Sequence, residues 1–181
     1  MSMLKMGAAG MIPMLLTSCA MMNGRDGMTA SAADATADVR NAAGAAKARV
    51  DVSQVGDSVR VRIAAMDMVR GTYAAHVHTT GTCTGPDFSS AGPHWNPTGQ
   101  QHGKDNPAGM HKGDLPNLEI GGNGRGSIEY SIVGARLAGG SAPLLDADGA
   151  AIVIHAQADD YRSDPAGNAG ARIACGVLRS G

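Results

Sequence analysis

The sequence predicts an all-β domain, an antiparallel sandwich or flattened barrel built from short strands. Two observations of composition and one of pattern point there. Glycine is abundant, 26 of 181 residues, while aromatic residues make up only 3%; that balance suits a compact, turn-rich β protein better than a helical bundle. Charged and apolar residues alternate with a period of two in short runs bounded by turn formers, and no run carries a convincing helical period. The length allows one ordinary domain plus something smaller. A net charge of −1, with no basic run and no row of stacking aromatics, gives no reason to expect nucleic acid. Any steering of a charged substrate must then be local to a site.

Residues 1–18 read as a signal peptide, in which Lys5 precedes a mostly apolar stretch from Met6 to Leu16 that is too short to span a bilayer. Its end, Leu16-Thr17-Ser18-Cys19, resembles the lipobox of bacterial lipoproteins. That resemblance implies cleavage before Cys19, lipid on its sulfur and a membrane anchor; the alternative is a plain secretory signal with a coincidental cysteine. Either way the chain is expected to leave the cytoplasm, for the periplasm or another extracytoplasmic space. Residues 19–33 are small and polar with Asn23-Gly24 and Asp26-Gly27 breakers, and read as a flexible tether. Residues 34–181 are the expected domain. With Cys19 set aside for lipid, Cys83 and Cys175 remain; an exported protein can keep them as a disulfide, or they are two free buried thiols.

The strands follow in order. Ala35 to Val39 and Ala48 to Val52 flank a loop at Gly44 and suggest a hairpin. Gly56-Asp57 turns the chain into Ser58 to Ile63, whose alternation fits a half-buried strand. Gly71 precedes a strand over Tyr73 to His78, and further strands are expected over Asn117 to Ile120, Gly126 to Ile132, Gly149 to His155 and Ala171 to Val177. Residues 79–116 form a loop far longer than a compact domain tolerates without a function.

That loop and its flanks hold the chemistry. All six histidines, His76, His78, His94, His102, His111 and His155, fall after residue 75, and Asp114 closes the main run. Neutral imidazole is the commonest metal ligand and carboxylate a good second for zinc. Six imidazoles and one carboxylate exceed what one tetrahedral ion can use, but suffice for two if one ring bridges them. On a strand, His76 and His78 project to one face, and His155 ends another strand. A rigid, all-imidazole group suits copper; three histidines and an aspartate on the loop make a structural zinc pattern. The two groups meet at His94.

These residues, in this order, resemble the bacterial copper–zinc superoxide dismutases. The matching text is His76-Val77-His78, Cys83, Pro86 to Pro97 with Gly92-Pro93-His94, His102-Gly103, His111-Lys112-Gly113-Asp114-Leu115-Pro116-Asn117, His155, and Gly167 to Val177. The resemblance implies a Greek-key, immunoglobulin-like fold of about eight strands with long metal-binding loops. It implies copper on His76, His78, His94 and His155, and zinc on His94, His102, His111 and Asp114. Asp159 matches the carboxylate that links a copper histidine to a zinc histidine, Arg172 the guanidinium that faces the substrate, and Cys83–Cys175 the family's disulfide. The implied activity is dismutation of superoxide to dioxygen and hydrogen peroxide by redox-cycling copper, His94 parting from copper on reduction and taking a proton. Monomers and homodimers both occur among bacterial relatives.

Some positions depart from the family. Ala74-Ala75 stands where Gly-Phe is usual, Trp95 where Phe is usual, and Thr79 where an acidic residue is common. Tyr161 to Ala166 lacks the charged stretch of eukaryotic relatives. Two other readings use the same residues: an exported copper-binding or buffering protein without turnover, and a structural lipoprotein stapled by zinc. The second leaves His76, His78 and His155 unexplained.

Overall fold

The computed structural model describes Met1, Met3 and residues 34–181. The remaining signal-peptide residues, Cys19 and the tether expected over 19–33 lie outside the described residues. Among the described residues there are ten strands and one turn of 3-10 helix at Ser89–Ala91. The strands are β1 (Ala35–Asn41), β2 (Ala46–Val55), β3 (Ser58–Ala65), β4 (Gly71–Tyr73), β5 (Ala75–His78), β6 (Leu118–Ile120), β7 (Gly126–Val133), β8 (Ala151–His155), β9 (Arg172–Val177) and β10 (Arg179–Ser180). One antiparallel sheet runs β5-β8-β9-β1-β2-β3-β7, with β10 beside β1, and curls into a half-barrel; β4 and β6 form a separate pair. The all-β antiparallel architecture read from the sequence is the one that forms.

The first hairpin joins β1 to β2 through Gly44, whose φ of +80° lies in the left-handed region open to glycine. Its neighbour β3 pairs with β2 and β7 along its full length, and the charged residues of β3 point outward while Val59, Val61 and Ile63 are buried. One expectation needs correction. Tyr73 to His78 is not one strand: the chain breaks at Ala74, whose amide donates to the Gln157 carbonyl and whose carbonyl accepts from the His155 amide. The half before Ala74 pairs with β6 and the half after it with β8. Both halves are extended, so periodicity alone does not reveal the change of partner. The two-residue β10 was not expected either.

Strand alternation places the site. On β5 and β8, Ala75, Val77, Ile152 and Ile154 face the main core, while Ala151 and Val153 belong to a second cluster with Phe88, Ala91 and Cys175. Both strands are buried on both faces, because the long loop covers the face away from the core. Backbone pairs stitch it there: Trp95 N–H donates to Val77 O (2.8 Å), Val77 N–H to Gly113 O (2.9 Å) and Thr79 N–H to Pro93 O (3.0 Å). Trp95 itself is buried in the main core with Ala75.

Candidate metal centre

The covered face of β5 carries His76 and His78, both fully buried. Antiparallel pairing lays β8 beside them, and a register irregularity between Ile154 and His155 brings His155 opposite Arg172 of β9. The loop adds His94, which bridges to His78, and Asp114, which bridges to His76. The side chains of His76, His78, His94 and His155 offer one nitrogen each, all within 4.8 Å of one another. Those atoms are His76 Nδ1 and the Nε2 atoms of His78, His94 and His155, and each is buried with no hydrogen-bond partner. A buried polar atom without a partner is costly, so four in one such group mark a candidate cation site.

The second cluster converges on Asp114. Its Oδ1 lies 2.9 Å from His94 Nδ1, 3.0 Å from His102 Nδ1 and 3.1 Å from His111 Nδ1, while the Nδ1 atoms of His111 and His94 are 3.4 Å apart. A tetrahedral zinc with bonds of about 2.0–2.2 Å sets its ligand atoms about 3.3 Å from one another, so the donors fit that ion. The other carboxylate oxygen, Oδ2, accepts from the amides of Gly103 and His111. His76 and His94 each lie within 4.8 Å of the donors of both groups; His76 Nε2 is taken by Asp159, whereas His94 turns Nδ1 to the Asp114 set and Nε2, buried and without a partner, to the all-imidazole set. The two clusters could bind zinc and copper.

Partners on the far side of each ring fix its tautomer. His78 Nδ1–H donates to Gly92 O (2.8 Å) and His155 Nδ1–H to Gly170 O (3.3 Å). Asp159, buried, accepts from His76 Nε2–H at Oδ2 (2.8 Å) and from His102 Nε2–H at Oδ1 (2.9 Å), tying the two sets together. Burial pushes His78 down to about 2, His155 to about 3 and His94 to about 4, so at neutral pH these rings are uncharged and their lone pairs free for a metal. Burial also opposes charge on His102, but Asp114 and Asp159 outweigh it and raise that ring to about 9. Burial works against both carboxylates too, yet hydrogen bonds from the surrounding histidines hold them well below the usual carboxylate range.

Arg172, half-buried at the start of β9, donates from one terminal nitrogen to Phe88 O (2.8 Å) and from the other to Gly92 O (2.8 Å). The Gly92 carbonyl thus anchors both Arg172 and His78. Three residues beyond Arg172 on the same strand, the loop is tied covalently: Cys175 forms a disulfide with Cys83, their Cα atoms 5.6 Å apart.

A family model described as Copper/zinc superoxide dismutase (SODC) matches residues 46–178. The chain belongs to that family. Among relatives, it is 41% identical over 148 residues to a Superoxide dismutase [Cu-Zn] of Caulobacter vibrioides, spanning 80% of this chain and 85% of the relative. It is 49% identical over 104 residues to the Superoxide dismutase-like protein YojM of Bacillus subtilis, a match over 57% of this chain and 53% of that protein. The crystal structure of a SOD-like protein from Bacillus subtilis superposes with a TM-score of 0.75 at 39% identity, covering 80% of this chain and 97% of that one.

Within this copper/zinc superoxide dismutase frame, the structure also brings in residues that the sequence did not single out as functional. Gly167, at φ +62°, leaves the space that Asp159 occupies: a Cβ there would fall on Asp159 Oδ1 and 2.6 Å from His102 Nε2. Its place inside the 164–168 turn is a usable signal, since a glycine at a loop's tightest approach is the ordinary answer to crowding. The anchoring carbonyls of Phe88 and Gly92 have no side-chain signature at all. Cys19, the proposed lipid site, lies outside the described residues; among those residues no helix is long and apolar enough to cross a membrane.

Proposed function

We propose that this chain dismutates superoxide, turning two superoxide ions and two protons into dioxygen and hydrogen peroxide. Copper would be held by His76, His78, His94 and His155, and zinc by His94, His102, His111 and Asp114. The observation that carries this reading is His94, whose two ring nitrogens face two separate clusters. When bound, copper supplies the one-electron couple for both half-reactions, and zinc a redox-inert charge on the far side of the shared ring. His94 Nε2, buried and free of a protein partner, is the atom at which a proton is held and released. The Asp114 cluster keeps the ring in place while that happens. Arg172 donates one N–H from each terminal nitrogen to backbone; a second N–H remains on each, a pair of donors for a small anion. Burial of the imidazole set excludes water from the ring nitrogens.

The same reading places the domain outside the cytoplasm, tied to a bacterial membrane through lipid on Cys19, as a monomer or homodimer. A second reading, copper binding without turnover, is favoured by the dismutase-like naming of the Bacillus relative. Loading the protein with copper and zinc and following superoxide decay by stopped flow separates the two. Catalysed decay that falls by about a hundredfold or more in His94→Ala supports dismutation, a loss in the range expected for a proton-handling group. Metal uptake with no catalysed decay supports the second reading.

A further inference from the structure

The Asp159 carboxylate reaches His76 and His102 only because its backbone is held to the segment that follows Asp114. Asn117 makes that hold with its side chain: Nδ2–H donates to Asp159 O (2.9 Å) and Oδ1 accepts from Asp159 N–H (2.8 Å). One amide side chain thereby mimics the paired contacts of a β-ladder. Asn117's own N–H donates to the Tyr161 hydroxyl (2.7 Å). Tyr161 then closes the ring of contacts, its N–H donating to Asp159 Oδ1 (2.7 Å) and its carbonyl accepting from Asp105 N–H (2.9 Å). The Lys104 ammonium sits 4.2 Å above the phenol ring. Tyr161 has φ +62°, a left-handed conformation uncommon for a bulky residue, so these contacts, and not the residue's own preference, set it. His102 is clamped from the same loop, its N–H donating to Asp164 Oδ1 (2.6 Å).

We propose that Tyr161 and Asn117 are positioning residues for both metal clusters, acting through Asp159. Together they fix the two oxygens that orient His76 and His102, although neither residue's polar atoms bond to a histidine ring. The proposal rests on the metal placement given above. Outer partners of metal ligands commonly set affinity, and here the partner's own support comes from the Asn117 amide side chain and the Tyr161 N–H, with the Tyr161 phenol holding Asn117 through its backbone N–H.

A double-mutant cycle on the mature protein tests it. Zinc affinity is measured by competition with a chromophoric chelator, and the geometry of the zinc set by the visible spectrum after cobalt is put in place of zinc. Tyr161→Phe removes one acceptor and leaves the ring under Lys104; it is expected to weaken zinc binding by about 3–10-fold and to shift the cobalt bands, against about 10–100-fold for Asp159→Asn. The double variant is expected to bind no more weakly than Asp159→Asn alone. Effects that multiply, or a Tyr161→Phe variant with wild-type affinity and spectrum, overturn the proposal. Asn117→Ser runs through the same cycle and decides the matter if the Phe variant does not fold. Superoxide decay on the same preparations keeps the two readings apart. Coupling without turnover supports the positioning role and removes only the proposed activity. Turnover with multiplying effects removes only the positioning role, and a wild-type chain that takes up no zinc removes both.

Discussion

His94, Gly92 and Asp159 show how few atoms hold the centre in register. His94 presents a nitrogen to each cluster, the Gly92 carbonyl orients both His78 and Arg172, and Asp159 spans His76 and His102. Arg172→Ala removes the fixed cation but neither cluster. Turnover is expected to fall by about tenfold and its salt dependence to flatten, since local charge supplies the steering; stopped-flow rates across an ionic-strength series check both. Gly167→Ala puts a methyl group where Asp159 and His102 lie, at a φ that costs a side chain about 1 kcal/mol or more in addition. Zinc measured after dialysis is expected to drop below one equivalent in that variant while the wild type retains it. The ligand candidates were legible in the sequence because histidine is scarce there and confined to residues 76–155. The partners of Arg172 were not, because they are backbone carbonyls and any residue supplies one. Tyr161 stayed hidden for a related reason: its role depends on Asn117, 44 positions away, which only the folded chain brings close.

At the scale of elements, the site is a strand pair roofed by a loop. β5 and β8 are legible from their apolar runs, and their alternation already sends His76 and His78 to one side. What periodicity could not show is the break at Ala74, because a strand that changes partner keeps the same extended backbone on both sides. The roof owes its position to the backbone pairs with Val77 and to the Cys83–Cys175 disulfide, which bridges a sequence separation of 92. In the chain-entropy picture a closed loop of that length stabilises the fold by about 4–5 kcal/mol. The variant with both cysteines changed to serine is therefore expected to unfold at a denaturant concentration lower by an amount corresponding to most of that figure. Equilibrium unfolding in guanidinium, followed by the fluorescence of Trp95, the roof residue buried in the main core, measures it; an unchanged midpoint contradicts the role given to the bridge.

Residues 34–181 as a whole form a β scaffold with a buried polar cluster set against its apolar core. Six histidines and two aspartates are buried, and four ring nitrogens, His76 Nδ1 and the Nε2 atoms of His78, His94 and His155, lack a partner among the described residues, so a cation there satisfies groups that the protein leaves unpaired. Metal removal is accordingly expected to lower Tm. With free metal at a hundredfold over Kd, linkage contributes about 2.7 kcal/mol per site, or about 5–10 °C for a domain of this size. Differential scanning calorimetry before and after chelation, and again after zinc is restored, reads the change. The near-zero net charge of the chain leaves any attraction of an anion to local charge, which is the role proposed for Arg172. The account as a whole stands on two ions sharing one imidazole, and anomalous diffraction at the copper and zinc edges from crystals of the loaded protein tests it most directly. The expected result is a copper peak among His76, His78 and His155, a zinc peak among His102, His111 and Asp114, and the ring of His94 between them. A single peak, or a His94 ring that touches only one ion, would contradict it.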